Sequence, residues 1–222
     1  MIETRLRRPV LITLVASLLV TVVLGALTFH ATTNRFDTWA FTSLFDSVGP
    51  TGKSALLGVS EPTLSVSVLA VAALTAALLR RWDVAVLTVA GPAMALVLTE
   101  FVLKPAVGRI IGPRVLEGST AGAVIGSYPS GHETGVASAA MVLLVIVGHT
   151  VRRPAVRACL AALLGVWTVL AAAGLVRNFY HYATDTIGAI GVSAFAVLGS
   201  ALVIDRFSSP DVRCLPRTSP EA

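Results

Sequence analysis

The sequence predicts an all-α integral membrane protein, a bundle of six transmembrane helices with both termini on the cytoplasmic side. Three observations carry this reading. Of the 222 residues, 55% are hydrophobic and only 13% charged, about half the charged share of a water-facing domain, and the mean hydropathy is +0.82. The apolar residues gather into six runs of the length a helix needs to cross a bilayer. The arginines gather between those runs and favour one side. Disorder and a large multi-domain assembly are excluded by the same composition.

The predicted spans are residues 10–29, 64–79, 84–103, 134–151, 158–176 and 183–204. The first reads as an uncleaved anchor, too long for a signal-peptide core and without a small-residue cleavage site before Asn34. The second and third are joined only by Arg80-Arg81-Trp82-Asp83, a tight helical hairpin. Residues 1–206 form one predicted transmembrane domain, and 207–222, rich in Ser and Pro, a disordered cytoplasmic tail. One side receives Arg5, Arg7, Arg8, Arg80, Arg81, Arg152, Arg153, Arg157, Arg206, Arg213 and Arg217; the other receives Arg35, Lys53, Lys104, Arg109, Arg114 and Arg177. Eleven against six puts the first side inside by the positive-inside rule. The net charge of +5 is therefore a topology signal, and no basic patch with interleaved aromatics points to nucleic acid. Cys159 and Cys214 show neither a disulfide framework nor metal-ligand spacing.

The outer loops, roughly 30–62 and 104–131, are the longer ones. Phe36-Asp37-Thr38-Trp39 and Phe41…Leu44-Phe45 make an amphipathic pattern suited to lying flat at the interface. His30 reads as an interfacial residue and His149 as a core one.

Three polar groups converge on the outer edge. Lys104-Pro105-Ala106-Val107-Gly108-Arg109, continuing to Arg114, supplies cations that can hold phosphoryl oxygens; snorkelling side chains at the headgroups would look the same. Pro129-Ser130-Gly131-His132 opens the fourth span. Free backbone N–H groups at a helix start bind anions, Ser130 adds a hydroxyl, Gly131 permits close approach, and His132 stands beside whatever is bound. Alone, this tetrapeptide reads equally as a plain cap. The third group is Arg177…His181…Asp185. The four-residue spacing puts His181 and Asp185 on one helical face, where Asp185 can accept Nδ1–H and leave Nε2 as a nucleophile. A structural His–Asp pair is the plainer alternative, weakened by what a carboxylate costs at a membrane edge. Glu100 can pair with Lys104 one turn on. Together the groups describe anion-binding elements around an Asp-backed histidine nucleophile, with a second histidine to protonate a leaving oxygen. No carboxylate cluster suggests a metal, so covalent catalysis without a cofactor is expected.

These residues resemble the type-2 phosphatidic acid phosphatase family, whose membrane branch comprises six-span lipid phosphate phosphatases. Its pattern is K-x6-R-P, then P-S-G-H, then S-R-x5-H-x3-D, and the likeness runs from Lys104 to Asp185. The resemblance implies His181 as the nucleophile forming a phosphohistidine, Asp185 as its partner and His132 as the general acid. It implies Lys104, Ser130, Gly131 and Arg177 as phosphate ligands, with Arg109, favoured over Arg114, in the first-motif arginine role. The chain departs from the pattern in three places. Ile111-Gly112 stands where Arg-Pro is expected, Val176 replaces the serine, and three residues rather than five separate Arg177 from His181. The expected activity is hydrolysis of a lipid phosphate at the extracytoplasmic face of the plasma membrane, with polyprenyl diphosphate the first candidate and phosphatidic acid or phosphatidylglycerol phosphate the others. Phosphotransfer to a lipid or sugar acceptor, or lipid-phosphate binding without turnover, are the alternatives.

Overall fold

In the computed structural model the described residues are 4–29, 33–110 and 126–208, and among them every regular element is a helix. The elements are α1 (Thr4–Leu27), α2 (Arg35–Ser47), α3 (Pro50–Val59), α4 (Pro62–Leu78), α5 (Trp82–Val97), a π-helical segment (Leu98–Leu103), α6 (Lys104–Val107), α7 (Gly131–Thr150), α8 (Pro154–Arg177) and α9 (Ala183–Ser208). Among the described residues six stretches are long and apolar enough to cross a membrane: Arg7–Leu27, Pro50–Leu78, Trp82–Val107, Gly131–Thr150, Pro154–Arg177 and Ala183–Ser208. Each overlaps one predicted run, and the chain is a multi-pass membrane protein. Arg114, Cys214 and all of the tail beyond Ser208 lie outside the described residues, as does His30.

The spans outrun the apolar runs because a helix continues into its polar flanks until a turn residue stops it. Arg80, in the left-handed region at φ 56, makes the hairpin between α4 and α5. The long first outer loop folds into two short helices. Asn34 caps α2 by accepting the Asp37 N–H at 2.9 Å, and Pro50 opens α3, where its missing donor costs nothing.

The bundle is inverted relative to a soluble protein. Large aliphatics such as Ile12, Leu19, Val71, Leu74 and Val169 point outward, as an apolar solvent permits. The inward faces are small and polar. Helix α9 is the hub, packing on α1, α5 and α7, and its buried face carries Ala189, Gly191, Ser193, Ala194 and Ala201. A Cβ on Gly91 of α5 would come within 3.3 Å of the Val197 Cα. Ser138 donates to Ser193 at 3.2 Å and Thr99 pairs with Thr134 at 3.1 Å, the interhelical hydrogen bonds that join helices where no hydrophobic effect does so. Leu87, Val142, Val197 and Ala201 form the fully enclosed centre.

His149 is exposed rather than in the core. The packed stretch of α7 ends near Val142, Val145 and Ile146 are only partly covered, and the last turn runs past the neighbouring helices. Cys159 is exposed as well.

Candidate active site

Lys104 reaches the site through the π-helical segment, a wide turn of the kind that often re-aims side chains at functional sites. One turn back, Glu100 accepts from Lys104 Nζ with both oxygens, at 2.6 and 2.8 Å. Gly108 then ends α6 in the left-handed conformation, φ 59, which glycine adopts without a Cβ penalty. The chain turns inward and Arg109 is fully buried.

Ser130 is the N-cap of α7. Its hydroxyl accepts the Glu133 N–H at 3.2 Å, and its own N–H donates to the Asp185 carbonyl at 3.1 Å. The amides of Gly131 and His132 have no acceptor among the described residues. Gly131 is held tightly: a Cβ there would lie 2.6 Å from Glu100 Oε1 and 3.5 Å from Lys104 Nζ. The start of α7 and the Lys104–Glu100 pair are therefore in contact. Behind this segment the Tyr128 hydroxyl donates to the Thr21 carbonyl at 2.5 Å, anchoring it to α1. Burial pushes that phenol far above its ordinary range, so it stays a donor.

His181 does not lie on a helix. Helix α8 ends at Arg177, Phe179 takes a left-handed conformation at φ 59, and α9 begins only at Ala183. A bulky residue in that region is strained; here its ring packs on Phe41 of α2, with centroids 4.3 Å apart. The turn still brings His181 Nδ1 to 3.6 Å from Asp185 Oδ2, a near approach rather than a hydrogen bond. The rings of His181 and His132 stand 6.3 Å apart between centroids. Predicted residues from three distant stretches thus meet at one end of the bundle: Lys104, Ser130, Gly131, His132, His181 and Asp185.

The two arginines are held by protein groups, Arg109 within the site and Arg177 outside it. Arg109 donates from Nη1 to Asp185 Oδ1 and from Nη2 to Asp37 Oδ2, both at 2.5 Å, and also to the Thr184 hydroxyl at 2.6 Å. Its guanidinium lies 4.1 Å from the centre of the Tyr182 ring. Burial, with Asp185 and Asp37 adding to it and Arg109 opposing, raises the Tyr182 phenol above its usual range. Arg177 donates from Nε and Nη2 to the Val48 carbonyl at 3.1 and 3.0 Å and lies 4.4 Å over Phe45, strapping the α2–α3 corner to α8.

Four residues that sequence reasoning passed over belong to the site. Asp37 accepts the Thr184 N–H at 2.9 Å and so caps α9 from another helix. Thr184 and Ser127 each bond a buried carboxylate: Thr184 reaches Asp37, and Ser127 donates to Asp185 Oδ2. Tyr182 donates its N–H to that same oxygen at 3.1 Å. The local sequence carries no signal for Asp37, because α2 also holds Asp46 and several hydroxyl residues. Beside His181 a cavity of about 280 Å³ opens between α2 and the α8–α9 turn, lined by Thr38, Phe41, Val176, Phe179 and Tyr182 among others.

The helical bundle has the fold of a transmembrane PAP2-type phosphatase. The chain superimposes with a TM-score of 0.69 on the crystal structure of a transmembrane PAP2-type phosphatidylglycerolphosphate phosphatase from Bacillus subtilis, at 17% identity, over 90% of this chain and 98% of that one. The fold implied by the motif resemblance is thereby borne out. No protein-family model matches the sequence, and no curated protein matches it.

Proposed function

We propose that the protein is a membrane-embedded lipid phosphatase that works through a phosphohistidine on His181, without a metal. The observation that carries this is the placement of two histidines 6.3 Å apart between ring centroids, at a helix N-terminus with a lysine beside it. Nε2 of His181 attacks phosphorus; the N–P bond forms as the bond to the leaving oxygen breaks, and His132 gives that oxygen its proton. Water then attacks the phosphohistidine and yields its proton to His132, and inorganic phosphate and free His181 result. Asp185, near Nδ1, stabilises the charged imidazole. Lys104, the Ser130 hydroxyl and the free amides of Gly131 and His132 hold the phosphoryl oxygens. Lys104 must exchange Glu100 for phosphate to do so.

The arginine distribution supports cytoplasmic termini and an extracytoplasmic site in the plasma membrane. The apolar cavity beside His181 suits the first part of a lipid tail. Polyprenyl diphosphate is the first candidate substrate, with phosphatidic acid and phosphatidylglycerol phosphate next. The engagement of both arginines, Arg109 with carboxylates and Arg177 with a carbonyl, is what a lipid-phosphate binder without turnover would also present. Phosphate release from the three lipids by purified protein in EDTA, wild type beside His181→Ala, separates the readings. Release that resists EDTA and vanishes in the variant supports the phosphatase. No release from any lipid, with binding retained by both proteins, favours the binder.

A further inference from the structure

We infer that Asp37 is a positioning residue for the nucleophile, supplying the net negative charge that allows Asp185 to support His181 in the presence of Arg109. The inference rests on the phosphohistidine reading above. Asp185 alone faces an obstacle: its Oδ1 is 2.5 Å from Arg109 Nη1, and a guanidinium at that range cancels most of the field a carboxylate would exert on the imidazole. Arg109 is wholly enclosed, so water does not screen it. Asp37, equally enclosed, sits 2.5 Å from Nη2 of the same guanidinium. Among the described residues, two enclosed carboxylates stand against one enclosed guanidinium, which leaves one net negative charge in the cluster. The imidazolium that forms on His181 brings that cluster to neutrality, which is when its burial costs least.

The local structure is built to deliver this charge. Asn34 starts α2 so that Phe36 and Trp39 face out, Trp39 being 62% exposed, and Asp37 faces in. Its Oδ1 also accepts the N–H and hydroxyl of Thr184, both at 2.9 Å, fixing the start of α9 one residue before Asp185. The remaining titratable groups around His181 are Tyr180 and Tyr182 in its own turn and His132 from α7. Beyond His132 lie Lys104, Glu100 and Glu61. Tyr182 feels the charge of Asp37, whereas no hydrogen bond or ion pair joins Asp37 to His132, Lys104, Glu100 or Glu61 among the described residues.

The test uses the full chain in detergent. Asp37→Asn keeps the shape and the acceptor for Thr184 but deletes the charge. It should lower kcat about tenfold or more with KM within about twofold, as loss of a transition-state interaction does. The His181 imidazole, followed by NMR with labelled histidine, should titrate at lower pH than in wild type. The double variant Asp37→Asn/Arg109→Gln restores one net negative charge, and should recover the imidazole titration and part of kcat. Wild-type titration and kcat in Asp37→Asn would overturn the inference, and so would a double variant that titrates below the single one. Should wild type release no phosphate from any lipid, the phosphatase reading fails, and the two titrations still decide the role of Asp37.

Discussion

Glu100 holds Lys104 with both carboxylate oxygens and lies close to where a Cβ on Gly131 would be, so an internal anion occupies the lysine proposed to bind phosphate. The pair keeps a half-buried ammonium satisfied, and on the proposed reading substrate competes with Glu100 for it. Glu100→Gln weakens that competition. Inorganic phosphate, as a product inhibitor, should bind several-fold more tightly, by about 1 kcal/mol or less for a pair whose carboxylate is 41% exposed. An unchanged inhibition constant would mean that Glu100 and phosphate do not share the lysine.

Gly131→Ala places a methyl group 2.6 Å from Glu100 Oε1, where something must move. The Lys104–Glu100 pair and the first turn of α7 cannot both keep their positions. Phosphate release should fall by about a factor of ten or more with little loss of stability, because the atom in the way is the flexible, 41% exposed end of Glu100. Gly148, whose Cβ would meet nothing within 4 Å, offers the control: Gly148→Ala should leave release unaltered.

Removing His132, the proposed general acid, should be felt in proportion to how much the leaving group needs a proton. His132→Gln is expected to slow lipid phosphate hydrolysis by about 10²–10⁴-fold, while an activated aryl phosphate, whose leaving group departs unprotonated, loses far less. Equal losses on both substrates would remove His132 from the acid role.

Arg177 differs from Lys104 in where it is attached. Its two hydrogen bonds to the Val48 carbonyl, made by a charged donor, are worth about 1.5–3 kcal/mol. Arg177→Ala should therefore lower the melting temperature and leave KM nearly intact, whereas Lys104→Ala should raise KM with little change in melting. A raised KM with an unshifted melting curve in Arg177→Ala would return this arginine to the phosphate.

The parts legible in the sequence were those written over short distances. A span is a contiguous apolar run, and each of the six appears where its run predicts. Pro129–His132 and His181–Asp185 are likewise local, and their meeting followed from counting spans. The rest depends on contacts no spacing encodes. Asp37 meets Arg109 and Thr184, which lie 72 and 147 residues away along the chain. Nothing in its own neighbourhood distinguishes it from a solvated residue of an amphipathic helix. The left-handed turn at Phe179 takes His181 off the helix, which i,i+4 arithmetic cannot foresee. His149 was misjudged because an apolar run tells how long a helix is, not how far its neighbours accompany it.

The contrast between an inward face of small residues and an outward face of interchangeable aliphatics has an evolutionary corollary. Most positions on these helices ask only to be greasy, and a lipid tail does not discriminate valine from leucine. Such positions drift freely, while glycines and serines at the seams, such as Gly91, Gly174 and Ser193, are pinned by the backbone or side chain opposite. Two chains of this architecture can therefore exchange most of their letters and keep the same shape. A structural likeness covering nearly the whole of both chains at 17% identity is the outcome to expect of that arrangement.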